Sequence, residues 1–157
     1  MEINTVIDRT RLFFLMYGFG RVIWFAGIID GEFRNRLKET PFAFMMKAAD
    51  GGPVRYFQCI NGRLRTSRRP MPLTADAPAL EPFGLVWRDS KSGGQAMLGM
   101  LLGKPQALYQ AVADGVLMLE GEGRMVFWFL KTVSKLNRVF RPKKKRSEKK
   151  EPETNTK

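Results

Sequence analysis

"PFAFMMKAADGGPVRYFQCINGRLRTSRR" runs from Pro41 to Arg69, and its reading decides the fold. Phe42, Phe44 and Met46 fall on one side of an extended chain and Lys47 on the other, the period-two pattern of a half-buried strand. Asp50–Gly52 closes it with a turn. Val54–Ile60 has the aromatic and β-branched character of a second strand. Asn61–Gly62 then predicts a tight hairpin, because a primed two-residue turn needs positive φ at both central positions. Arg63–Arg69 is the returning strand, and its polar content points to an exposed face or an edge.

Working outward toward the C-terminus, "PMPLTADAPALEP" is a proline- and alanine-rich connector without a period. "FGLVWRD" (Phe83–Asp89) restores alternation, with Phe83, Leu85 and Trp87 on one side. "SKSGGQAMLGMLLG" opens on serines suited to a helix N-cap and becomes an apolar helix over Gln95–Leu102. Pro105 suits the first turn of the next helix, whose buried stripe is expected to hold Leu108, Val112 and Tyr109. Gly115 stops that helix. "VLMLE" (Val116–Glu120) is a buried strand. "GEG" turns the chain into a closing helix, "RMVFWFLKTVSKLNRVF", apolar at first and amphipathic later.

Toward the N-terminus lies the most hydrophobic run, "LFFLMYGFGRVIWFAGII" (Leu12–Ile29). It is shorter than the roughly 20 apolar residues of a membrane span. Arg21 interrupts it, and Gly18, Gly20 and Gly27 weaken its helix. The run reads as one or two helices that pack on the domain as a lid or core element, or lie in a membrane interface, with spanning the remaining alternative. A secretory signal is not expected, since "IIDGEF" offers no small-residue cleavage site. "DGEFRNRLKE" is a charged helical exit that Pro41 ends.

Composition excludes several chemistries. The chain has no histidine and a single cysteine, Cys59. No internal disulfide, Cys/His zinc site or serine–histidine nucleophile can be assembled. The glycines fail as phosphate cradles. Gly99 and Gly103 stand four apart before Lys104, but Pro105 replaces the hydroxyl residue that a P-loop requires. "GEGRMV" places Val126 where a dinucleotide fingerprint needs Gly or Ala. Gly99 and Gly103 instead suit a close contact between helices. No catalytic residues, metal or cofactor are expected.

Net charge is +12, and half of that excess lies between Arg138 and Lys157, where nine basic residues meet three acidic ones. Beyond Pro142 the composition is that of a disordered tail. No aromatic follows Phe140, so nucleic acid is not the expected partner. A polybasic segment beside apolar sequence fits an anionic membrane surface, where each basic side chain contributes about 1 kcal/mol.

From Phe42 to Leu136 the order is strand, "DGG", "VRYFQCINGRL" hairpin, connector, "FGLVWRD" strand and helix, then "LLGKPQALYQAVADGVLMLEGEGRMVFWFLKTVSKL". This resembles the sterol carrier protein type two family of lipid-binding domains. The polar hairpin strand, the apolar N-terminal run and the basic tail look more like its bacterial stand-alone members, some of which are accessory factors of isoprenoid-quinone biosynthesis. The chain ends "TNTK" where a peroxisomal member would carry a targeting tripeptide.

The expected fold is therefore α+β: a five-stranded, mainly antiparallel twisted sheet with helices over one face, enclosing an apolar cavity. Its parts are an N-terminal helical segment (1–40), the lipid-binding domain (41–137) and a basic tail (138–157). The resemblance implies an apolar tunnel, and with helical periodicity it nominates Met97, Leu98, Leu101, Leu102, Tyr109, Leu117, Leu119, Phe127 and Leu130 as its walls. Arg21, Trp24, Arg141, Lys143, Lys144, Lys145 and Arg146 are the expected membrane contacts. The expected activity is non-catalytic binding and transfer of a fatty acyl lipid, phospholipid or isoprenoid, in the cytoplasm or peripherally on the inner face of the membrane. The alternative is a scaffold presenting isoprenoid-quinone intermediates to biosynthetic enzymes.

Overall fold

The computed structural model describes residues 2–72, 80, 82–104 and 106–140. A helical pair, α1 (Ile3–Ile29) and α2 (Gly31–Glu39), leads into β1 (Phe42–Ala48), β2 (Val54–Ile60), β3 (Arg63–Ser67) and β4 (Phe83–Trp87). Then come α3 (Ser90–Leu101), α4 (Ala107–Ala113), β5 (Leu117–Glu120), α5 (Gly123–Ser134) and α6 (Leu136–Phe140). The fold is α+β, built on one open five-stranded sheet of order β3-β2-β1-β4-β5. β1 and β4 pair in parallel and every other neighbouring pair is antiparallel.

The hairpin forms as its sequence requires. Asn61 and Gly62 take φ of 52° and 75°, and β2 and β3 pair from Ile60↔Arg63 to Tyr56↔Ser67. Register then carries the period-two pattern across the sheet. Cys59, Phe42 and Phe57, Phe44, Phe83 form cross-strand rows on one face, joined by Met46 with Leu85 and Ala48 with Trp87. The helices cover this face.

Phe129 of α5 fills the centre of the layer between sheet and helices. Its ring centre lies 4.5 Å from Phe44, 5.3 Å from Phe83, 6.0 Å from Phe42 and 6.2 Å from Phe19 of α1. Burying each such ring contributes about 1.5–3 kcal/mol.

Helix boundaries follow capping groups more than hydrophobicity. The Asp30 carboxylate accepts from Phe33 N–H at 2.8 Å and starts α2 afresh. α1 is a single helix that begins at Ile3, well before the apolar run. Asp89, rather than the serines after it, caps α3 by accepting from Ser92 N–H at 2.7 Å, so the helix starts five residues before the expected Gln95. Ser90 is held instead by Asp50, whose carboxylate accepts from its N–H at 2.9 Å and its hydroxyl at 3.0 Å. That contact fastens the β1–β2 turn to the start of α3. In α4, Leu108 and Ala111 are buried, and Tyr109 points outward from the expected stripe.

Candidate functional site

The C-terminal turn of α3 divides its apolar residues. Met97 and Met100, three apart, face the core, Leu101 packs against its margin partly buried, and Leu102 turns away from it. Gly103, at φ 92°, ends the helix, and Lys104 N–H closes the turn on Gly99 C=O at 3.0 Å. Gly103 thus terminates the helix, while Gly99 lies within it, where a Cβ would stand 3.7 Å from Ala107 Cβ of α4. Across from them α5 gives way to α6, which presents Leu136 and Phe140 four apart on one side.

These elements frame an open apolar groove of about 660 Å³, lined by Val22 of α1, Met100, Leu101 and Leu102 of α3, Val133 of α5, and Leu136 and Phe140 of α6. Leu102 on its rim is 73% exposed. Phe140 stacks on Phe25 of α1 with ring centres 6.2 Å apart and planes 6° from parallel. The rim therefore runs into the outer face of α1, where Phe14, Trp24, Phe25, Ile28 and Ile29 are exposed. An apolar patch of this extent has no role in the protein's own core. α1 is long and apolar enough to cross a membrane by length and composition, and 33% of its most apolar window is buried. Phe140 immediately precedes the basic run that starts at Arg141.

The expected tunnel residues do not converge on this groove. Leu101 and Leu102 meet there. Met97, Leu117 and Leu130 are packed into the core at 0%, 2% and 5% exposure. Leu98 is half-buried on α3. Leu119 lies on β5 at the sheet edge, where little packs over it. Phe127 is exposed because Val126, Phe129, Leu130 and Val133 already form the inner stripe of α5, and residue 127 falls outside that spacing. Tyr109 borders a separate polar cleft with Lys131, Ser134 and Arg138. Of the expected membrane contacts, Trp24 is half-exposed and Arg21 is exposed, donating to the Tyr17 hydroxyl at 2.6 Å. Arg141, Lys143, Lys144, Lys145 and Arg146 lie outside the described residues.

Two features escaped sequence reasoning. A cavity of about 440 Å³ opens on the other face of the sheet, lined by Met45, Tyr56, Gln58, Gly84 and Glu120 among others. Buried Gln58 has no acceptor for its Nε2 among the described residues. The second is an arginine, Arg55, buried on the helix-covered face of β2. Its signal was present in the sequence, since alternation places it on the same face as Phe57 and Cys59.

Cys59 is buried, and burial pushes its thiol up from 9.0 to about 12, against the opposing pull of a Gly62 backbone hydrogen bond. It is therefore a core residue without thiolate chemistry at neutral pH. Among the described residues, no group of three or more potential metal ligands comes together. No family model, curated protein or solved structure matches the chain.

Proposed function

We propose that this protein is a non-catalytic lipid-binding protein that works at an anionic membrane surface. One observation carries the reading: the open groove between α1, α3 and α6 is continuous with the exposed apolar face of α1, and its rim residue Phe140 leads directly into the basic run. An acyl or isoprenoid chain laid in the groove gains about 0.8 kcal/mol for each buried CH₂. The basic residues that follow Phe140 in sequence hold the protein to anionic headgroups, and two such signals together give firmer attachment than either alone. The resemblance to sterol carrier protein type two domains belongs to the same proposal. It is supported by the order of strands and helices, with the difference that chain-binding space lies at the margin of the layer. The cytoplasmic face is the proposed site, since anionic lipids and basic segments meet there.

Vesicle flotation and native mass spectrometry of the full chain test this reading. The protein is expected to float with phosphatidylglycerol-containing vesicles, to release them at high salt, and to carry an extractable lipid. Leu102→Glu is expected to cut vesicle partitioning roughly tenfold, since it removes an exposed apolar side chain worth about 1.5–3 kcal/mol on burial. A lipid-free mass together with no flotation contradicts the proposal.

A further inference from the structure

The flank of α1 that faces the hairpin carries Phe13, Tyr17, Gly20, Arg21 and Trp24. Gly20 permits close approach: a Cβ there would stand 3.0 Å from Thr66 Cγ2 and 3.2 Å from Phe57 Cε1. That approach brings arginines from three different segments around two aromatic rings. Arg55 of β2 is 7% exposed and donates through Nε and Nη2 to Thr66 Oγ1 at 2.9 and 2.7 Å. Its guanidinium carbon lies 4.9 Å from the Tyr17 ring centre and 5.7 Å from that of Phe13. Arg21 approaches the same Tyr17 ring at 5.1 Å, and Arg68 approaches Phe13 at 4.5 Å.

Among the described residues, no carboxylate forms an ion pair with these three cations. Lys47 pairs with Glu120 and Arg88 with Asp89, away from this cluster. Burial lowers the Arg55 pKa, the neighbouring charge of Arg68 lowers it further, Tyr17 opposes, and Arg21 adds to the lowering. Like charges held together in a partly desolvated place disfavour one another, and an anion reverses the sign of that interaction. Arg21 and Arg55 line a cavity of about 280 Å³ with Tyr17, Trp24, Leu64 and Thr66, and Arg68, seated on Phe13, adds its charge from outside that lining.

We propose that this cavity between α1 and the β2–β3 hairpin binds a phosphate group, carried by the headgroup of a membrane lipid. Guanidinium forks match phosphate oxygens in pairs, and a tetrahedral anion has enough oxygens to accept from more than one arginine. Thr66 and the Tyr17 hydroxyl orient the forks, as groups holding Arg55 and Arg21 in place. The lipid source rests on the function proposed above, because the cavity opens beside Trp24 on the apolar outer side of α1. The site thus adds headgroup recognition to chain binding in the groove.

The test uses the full chain and phosphatidylcholine vesicles doped with phosphatidylglycerol. Arg21→Gln/Arg68→Gln is compared with Lys91→Gln/Arg124→Gln, which removes the same charge from exposed positions elsewhere. The first pair is expected to weaken partitioning at least about tenfold more than the second, given the strength of hydrogen bonds to charged groups. Arg55→Lys keeps the charge and loses the fork, and is expected to fall between parent and double variant. A second arm titrates soluble glycerol phosphate without membranes, reading the part of the tryptophan fluorescence that Trp24→Phe removes; a saturable change lost in Arg21→Gln/Arg68→Gln supports the site. If glycerol phosphate binds and vesicles do not, the anion site stands and the membrane reading fails. If vesicles bind and the two double variants behave alike, the membrane reading stands and the phosphate site is overturned.

Discussion

The inner and outer faces of α1 are made of similar residues and meet different surroundings. Leu12, Met16, Phe19, Ile23 and Ala26 are almost fully buried against the sheet and α3, while Phe14, Trp24, Phe25, Ile28 and Ile29 remain exposed. Helix α5 folds on one inner stripe, and its outward positions mix Arg124 and Lys131 with exposed Phe127, so its outer side carries no continuous apolar face. The outer apolar face of α1 is thus surplus to the fold, and leaving it in water needs a reason outside the fold. The proposed membrane contact supplies one.

The largest break in this comparison comes from the inner face. Phe19 meets Phe57 and Phe129 edge-on, each at 6.2 Å. Phe19→Ala is expected to cost about 3–5 kcal/mol in urea unfolding. A smaller effect is expected where α3 closes on the sheet. A Cβ at Gly93 would stand 2.8 Å from Trp87 Cγ, and Trp87 is fully buried. Gly93→Ala is therefore expected to lose about 1–3 kcal/mol through overpacking, seen as a lower urea midpoint.

The interior is also testable through Cys59. Its thiol is expected to resist disulfide reagents in the native protein and to react on unfolding, because burial holds its pKa near 12. The sign of the linkage follows. The folded value lies above the unfolded one, so this contribution to stability is intact below pH 9.0 and is lost as pH rises toward about 12. Rapid labelling of native protein at neutral pH would show that the interior opens more freely than its packing implies.

The smallest stability change belongs to the outer face. Phe14→Ser and Ile28→Ser are expected to shift stability by no more than about 0.5 kcal/mol. Each is expected to weaken vesicle partitioning several-fold, by roughly the apolar area lost. Large destabilisation by either would mean that both faces of α1 serve the fold.

The same contrast explains what was legible in sequence. The strands announced themselves by alternation, and Asn61–Gly62 fixed the hairpin through its backbone requirement. The start of α1 was hidden because Ile3–Arg11 mixes polar and apolar residues, and no side chain caps the helix. The start of α3 was misplaced because Asp89 competes with the serines for the same capping role. The groove was only partly legible, since Leu101 and Leu102 could be named from the apolar helix, but Val22 and Phe140 arrive there from remote segments. The arginine cluster depends on Gly20 bringing α1 onto Thr66, a long-range approach that no local pattern encodes.

Of the three tryptophans, Trp87 is fully buried and Trp128 is partly buried against Phe42, while Trp24 lies half-exposed on the outer face of α1, so the emission lost in Trp24→Phe reports contact at that face. Vesicles of phosphatidylglycerol with brominated acyl chains are expected to quench the parent protein, and Trp24→Phe is expected to abolish most of that quenching. No quenching of the parent, or equal quenching in Trp24→Phe, would contradict the claim that this face enters the membrane interface.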